Sequence, residues 1–192
     1  MKSIFQAFSV LVVFTILTGI IYPLLTTVFA VTCFPVQSHG SLAFNKGHVT
    51  GSYLIGQGFS DQKNFRPRPS ATNYSAMPSG GSNLNPVSSS LRIAIDARRD
   101  TFRLANGLSS TDTIPNDMLF ASGSGLDPDI SPEAARLQIN RIARERNFTN
   151  GQKLALTSLV EHSIAPRQLG FLGSERVNVL RLNQAIENMG KK

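Results

Sequence analysis

From Phe8 to Val31 the chain carries no charged side chain, and Ser9, Thr15, Thr18, Thr26 and Thr27 are its only aliphatic hydroxyls. Roughly 20 apolar residues, rising about 1.5 Å each as a helix, cross the hydrocarbon core of a bilayer. The run is long enough, and the hydroxyls return their hydrogen bonds to the preceding helical turn, so lipid tolerates them. Pro23 lacks an N–H and predicts a kink. Gly19 and the nearby threonines would let a second helix approach closely. The rival reading is a cleavable signal peptide, with Val28-Phe29-Ala30 as a passable cleavage pattern. A signal's apolar region is usually ~7–15 residues, so an uncleaved anchor is favoured. Lys2 and the amino terminus precede the span, and no Lys or Arg follows Val31 until Lys46, which puts the amino terminus inside. The chain then divides into a short cytoplasmic start (1–7), a transmembrane helix (8–31), a linker (32–46) and an extracytoplasmic domain (47–192).

After the span the periodicity changes. Val49, Gly51, Tyr53 and Ile55 alternate with mixed neighbours, predicting a strand within residues 47–57. From Phe65 to Ser90, 16 of 26 residues are Ser, Pro, Gly or Asn, which excludes long regular elements. So long a loop is either functional or a flexible surface excursion. Leu91, Ile95, Phe102 and Ala105 share one helical face, and Asn106-Gly107 marks a stop. Ser131-Pro132 opens another helix, with a hydroxyl cap and proline at the first helical position. That helix places Ala135, Ile139, Ile142 and Ala143 on one side. A third helix is expected from Gln152 to His162, ending before Pro166. The stretch from Val177 to Leu182 reads as a strand, with Asn183 as the cap of a short terminal helix. The fold class is therefore α+β: one amino-terminal transmembrane helix followed by a single mixed α/β domain.

Charge changes the picture less than its size suggests. The formal net charge is +7, and after Lys2 there remain 18 basic and 12 acidic residues. Arg136, Arg141 and Arg144 occupy a broad side of the Ser131-capped helix, with Arg146 turned away. Nucleic acid would want such cations, but an extracytoplasmic domain rarely meets it, and Glu133 and Glu145 share the helix. A solvated or partner-facing surface is the better reading. Cys33 alone excludes an intramolecular disulfide and any cysteine-rich metal site. His39, His48 and His162 are scattered, without metal-ligand spacing. Asp127 and Asp129 flank Pro128, too few oxygens for a hard cation without further ligands. No phosphate loop, dinucleotide fingerprint or nucleophile elbow is present. Ser79-Gly80-Gly81-Ser82-Asn83 is either an anion-binding loop of backbone N–H groups or an ordinary tight turn.

Taken in order, several segments resemble the C chain of the Kdp potassium-transporting ATPases. They are Leu54-Ile55-Gly56-Gln57 with Phe59, Phe65, Arg68-Pro69-Ser70-Ala71 with Tyr74, and Ser79 to Leu84 with Pro86. Ser122-Gly123-Ser124-Gly125-Leu126-Asp127-Pro128 follows, then Gln138, Arg141, Ala143 and Arg146, and last Val177-Asn178-Val179-Leu180 with Leu182-Asn183. Asn85 and Asp129 depart from the family's frequent glycine and histidine.

The resemblance implies an accessory subunit of the inner membrane, not an enzyme by itself. Its partners would be a channel-like A chain that handles potassium, an ATP-hydrolysing P-type B chain and a small F chain. It also implies a catalytic chaperone that raises the B chain's affinity for ATP, with Ser79 to Asn83 resembling the signature loop of ABC-type ATPases. No firmly bound cofactor is expected, and ATP is the one candidate ligand. Phe65, Arg68, Tyr74, Asp127, Gln138 and Arg141 are candidate partner contacts. An extracytoplasmic domain conflicts with direct ATP contact, because ATP is bound inside. The alternatives are a membrane-anchored nucleotide-binding regulator, and a clamp or gate at the outer potassium entrance of the A chain without nucleotide contact.

Overall fold

The structure is a computed structural model that describes residues 2–189. The chain divides between Ala43 and Phe44 into two compact units.

The first unit is dominated by one apolar helix, Lys2–Cys33, of 32 residues, in which an 18-residue stretch reaches a mean hydropathy of 2.3, with no buried position. It consists of α1 (Lys2–Ile16), a π-helical turn (Leu17–Ile21) and α2 (Tyr22–Cys33). The threonines bond back as expected, Thr15 to Leu11 O (2.8 Å), Thr18 to Phe14 O (2.7 Å) and Thr27 to Pro23 O (2.7 Å). At Pro23, where the sequence predicts a kink, the helix widens one turn earlier, with Tyr22 N–H reaching Leu17 O. The proline ring would clash with the carbonyl four residues back, that of Gly19, and the wider turn relieves the clash. A short turn, α3 (Pro35–Ser38), follows.

The second unit is a mixed α/β domain. A two-stranded ribbon, β1 (Leu42–Asn45), within which the division falls, and β2 (His48–Ser52), leads into the irregular stretch. The remaining elements are α4 (Ser89–Asn106), α5 (Asn116–Leu119), β3 (Asp129–Ile130), α6 (Pro132–Glu145), α7 (Asn150–His162), β4 (Ile164–Ala165), β5 (Arg176–Asn178) and α8 (Val179–Met189). The sheet order is β3-β5-β4, antiparallel throughout, with Ile130 and Ile164 both opposite Val177. Phe65, Phe102, Ile139, Ile142, Leu156, Val160, Val177 and Ile186 are among the core residues joining helices to sheet.

Local chemistry explains the helix ends. Gly107 closes α4 in the left-handed conformation (φ +65°), which costs glycine nothing. Ser131 caps α6 by accepting from Ala134 N. Thr149 and Gln152 form a reciprocal capping box on α7, which therefore starts at Asn150 rather than at Gln152. Two sequence expectations give way. The strand expected within residues 47–57 ends at Ser52, because Gly56 turns to donate to Leu126 O (2.8 Å). The strand expected from Val177 to Leu182 ends at Asn178, whose Oδ1 accepts from Arg181 N and so starts α8. Asn183 is then no cap: it is buried within α8.

Candidate functional site

The irregular stretch is gripped by amide side chains from two helices. Phe65 N donates to Asn183 Oδ1 (2.7 Å), and Asn183 Nδ2 donates back to Phe65 O (3.0 Å). Gln138 repeats the pattern one residue on, accepting from Arg66 N (2.8 Å) and donating to Arg66 O (3.2 Å). Each amide thus does what a neighbouring strand would do, satisfying both backbone groups of one residue. The start of the stretch is therefore fixed, and the expectation of a flexible excursion fails there.

Beneath it lies Arg141, fully buried. Its guanidinium donates to Asn106 Oδ1 (2.9 Å), Gln138 Oε1 (2.8 Å) and Gln62 O. Burial, then the nearby Arg66 charge, pull its pKa down to about 10, so it stays protonated at neutral pH. Phe65, Gln138 and Arg141, expected as partner contacts, are all fully buried and hold the domain's interior together. Arg146, expected to turn away, ties its end of α6 to Lys63 O (2.7 Å) and Asn64 Oδ1 (2.9 Å). Arg136 makes a two-pronged pair with Glu161 on α7 (2.7 Å each).

The other three candidate contacts converge closer to the surface. Arg68 pairs with Asp127 (2.7 Å), and both are about a quarter to a third exposed. Tyr74 Oη donates to Arg68 O (2.7 Å), and burial raises the phenol's pKa. Ser70 Oγ accepts from Tyr74 N (2.9 Å), which holds Tyr74 at φ +60°.

The segment from Ser79 to Asn83 adopts neither of the shapes its composition suggests. It carries no helix, strand or turn, and Gly80 N donates to Ser124 O (2.9 Å). Gly81 lies against Gly123, where an added Cβ would stand 3.2 Å from Gly123 O. Gly125 needs its glycine: φ is +71°, and a Cβ would come within 2.6 Å of Thr72 Oγ1 and 2.8 Å of Gly80 O. Of the five loop residues only Asn83 has positive φ, unlike the alternating backbone of a phosphate-cradling nest. The two glycine-rich segments pack on each other. Asn85 begins a turn, its Oδ1 accepting from Val87 N (3.0 Å), without the left-handed backbone a glycine there would favour.

Arg68 and Asp127 line a surface cleft of about 590 Å³. Its carboxylates are Asp117, Asp127, Asp129, Glu133 and Glu175, against the guanidinium groups of Arg68, Arg167 and Arg176. Asp117 is occupied in holding the start of α6, accepting from Ser131 N (2.7 Å) and Oγ (3.0 Å). Asp129 pairs with Arg176 (3.2 Å) and accepts from Asn178 Nδ2 (3.1 Å), yet burial keeps its pKa above the usual carboxylate value. Among the described residues, no group of three or more His, Cys, Asp or Glu could hold a metal ion. The cleft is a polar surface of mixed sign, suited to ion pairs with a protein.

One feature escapes the sequence reading. The β4–β5 loop, residues 166–175, is exposed throughout and lifts Leu169, Phe171 and Leu172 into solvent. Its signal is a cluster of large apolar residues with no helical or strand period, broken by Gly170 and Gly173.

A family model described as K+-transporting ATPase, c chain, matches residues 4–188. The Potassium-transporting ATPase KdpC subunit of Citrifermentans bemidjiense is 48% identical over 192 residues, covering 98% of each chain. That of Gemmatimonas aurantiaca is 48% identical over 177 residues, 91% of this chain and 86% of its own. That of Leptospira interrogans is 43% identical over 178 residues, 93% and 90%.

Proposed function

The chain belongs to the K+-transporting ATPase C-chain family, and on that premise we propose that it is a non-catalytic subunit that assembles and braces an ATP-driven potassium transporter. The helix Lys2–Cys33 anchors it in the membrane, and the mixed α/β domain lies outside, over the channel-like chain that carries potassium. It acts as a clamp there, fixing the geometry of that chain relative to the ATP-hydrolysing one. The observation that carries this reading is the braced platform. Paired amide clamps, a buried arginine and the interlocked segments 79–83 and 122–125 hold a long irregular surface in one shape. A rigid, shaped, mixed-charge surface is what a permanent subunit contact requires.

An effect on ATP affinity, as the family resemblance implies, would then be transmitted through the spans. Such couplings are typically about 1–3 kcal/mol. Direct nucleotide contact is disfavoured because the segment from Ser79 to Asn83 lacks the alternating backbone of a nest and spends the Gly80 N–H on Ser124 O.

The test is purification of the tagged chain in mild detergent from its native membrane, grown under potassium limitation. Recovery of a channel-like chain and a P-type ATPase chain in fixed ratio is expected. Recovery of the chain alone across several detergents would overturn the reading, and saturable ATP binding by the chain alone would return the nucleotide regulator to first place.

A further inference from the structure

The β4–β5 loop carries three large apolar side chains with nothing folded over them: Leu169 is 82% exposed, Phe171 70% and Leu172 47%. An exposed leucine alone needs no explanation, but three within four residues at the end of a hairpin do. The tip is also held in one shape. Gln168 N donates to Leu172 O and Leu172 N to Gln168 O, both at 2.9 Å. Between them Leu169 sits at φ +53° and Gly170 at φ +82°, with Gly173 at φ +75° beyond. A leucine in the left-handed region is disfavoured, and here it turns an apolar side chain outward rather than in.

We propose that this loop is a docking knob whose Leu169 and Phe171 enter an apolar pocket on another chain of the transporter, rimmed by charges of both signs. The proposal rests on the accessory-subunit reading and names the residues through which it works. A preorganised tip loses little conformational entropy on binding, which matters for a shaped pocket and not for fluid lipid. The surroundings complete the anatomy of a protein interface. The foot of the loop supplies Arg167, Glu175 and Arg176 to the mixed-charge cleft, so an apolar centre adjoins a polar rim. The same rim argues against a bilayer as occupant. An anionic lipid surface attracts clustered Lys and Arg, whereas the loop holds one Arg and one Glu and the cleft beside it five carboxylates to three guanidinium groups.

The test uses the full chain, tagged and co-expressed with its transporter, as wild type, as the double variant Leu169→Ser/Phe171→Ser, and as Leu104→Ser. Leu104 is 86% exposed on α4 and serves as a control for loss of any surface leucine. The double variant is expected to recover partner chains more than tenfold less well, with an unchanged thermal midpoint, while Leu104→Ser behaves as wild type. Equal recovery by wild type and double variant overturns the knob and leaves the subunit reading standing. Recovery of no partner even by wild type overturns both. Unchanged partner recovery with lost flotation on vesicles of phosphatidylglycerol and phosphatidylethanolamine would assign the loop to lipid. Lost self-association in detergent would assign it to a second copy. Either of these also overturns the proposal.

Discussion

Arg141 is a buried cation whose hydrogen-bonding acceptors are all uncharged amide oxygens, those of Asn106, Gln138 and the Gln62 backbone. Its worth therefore lies in geometry, since a planar fork with fixed donors can tie α4, α6 and the chain before Phe65 to one point. Arg141→Ala would leave Asn106 Oδ1 without its donor inside the core and Gln138 Oε1 with Arg66 N alone, open a cavity at the centre of the braced segment, and cost about 3 kcal/mol of stability. Arg141→Lys should recover little of it, because one ammonium on a flexible stem cannot reproduce the fork. Thermal or urea unfolding of the full chain in mild detergent, followed by far-ultraviolet circular dichroism, measures both; a wild-type midpoint for the lysine variant would show that charge alone suffices. Sequence alone places Arg141 on a solvated or partner-facing side of its helix, for the good reason that arginine seldom goes inside. Family motifs do not correct that bias, because a residue matching a motif for packing looks like one matching it for contact. Phe65 and Gln138 are misplaced in the same way, whereas Arg68 and Asp127 do reach the surface.

At the scale of elements, what is legible in the sequence follows from local chemistry. The Ser131 cap and the Gly107 stop belong to short stretches whose side chains decide their own backbone, so α6 and the end of α4 fall where expected. The two-residue strands β3 and β4 carry no period to read; they exist because β5 lies between them. The same holds for the segment beginning at Phe65, whose order comes from side chains far away in sequence. Asn183 is the clearest case, a polar residue inside an amphipathic helix that looks like a cap until Phe65 is placed against it. Asn183→Ala removes both bonds to Phe65 and leaves a buried N–H and C=O unpaired, at a cost of about 1–3 kcal/mol. The loss should be concentrated locally. Hydrogen exchange at the Phe65 amide should accelerate by at least tenfold more than at Ile142 in the centre of α6. Uniform acceleration across both would mean that the clamp serves global stability and not the shape of the platform.

For the whole molecule, the orientation of the helix decides which functional reading is physically available. Lys2 and the amino terminus lie on one side of Lys2–Cys33 and no Lys or Arg follows until Lys46, so the short flank with cations is expected inside. The chain supplies its own probe, because Cys33 is its only cysteine, is exposed, and ends α2. In intact spheroplasts a membrane-impermeant maleimide should label Cys33 without permeabilisation. Headgroups can shield a residue at a helix end, so Lys153→Cys in a Cys33→Ser background gives a second reporter, on the exposed face of α7. Labelling of this second reporter only after permeabilisation would place the domain inside with ATP. The clamp over an outer potassium entrance would then fall, and direct nucleotide contact would become the simpler account. Labelling from outside would leave the domain no nucleotide to touch. Any influence on ATP affinity would then have to travel through the membrane helices as a coupling between two protein conformations, and its reciprocal would be a change in the subunit's own affinity for the complex when ATP binds.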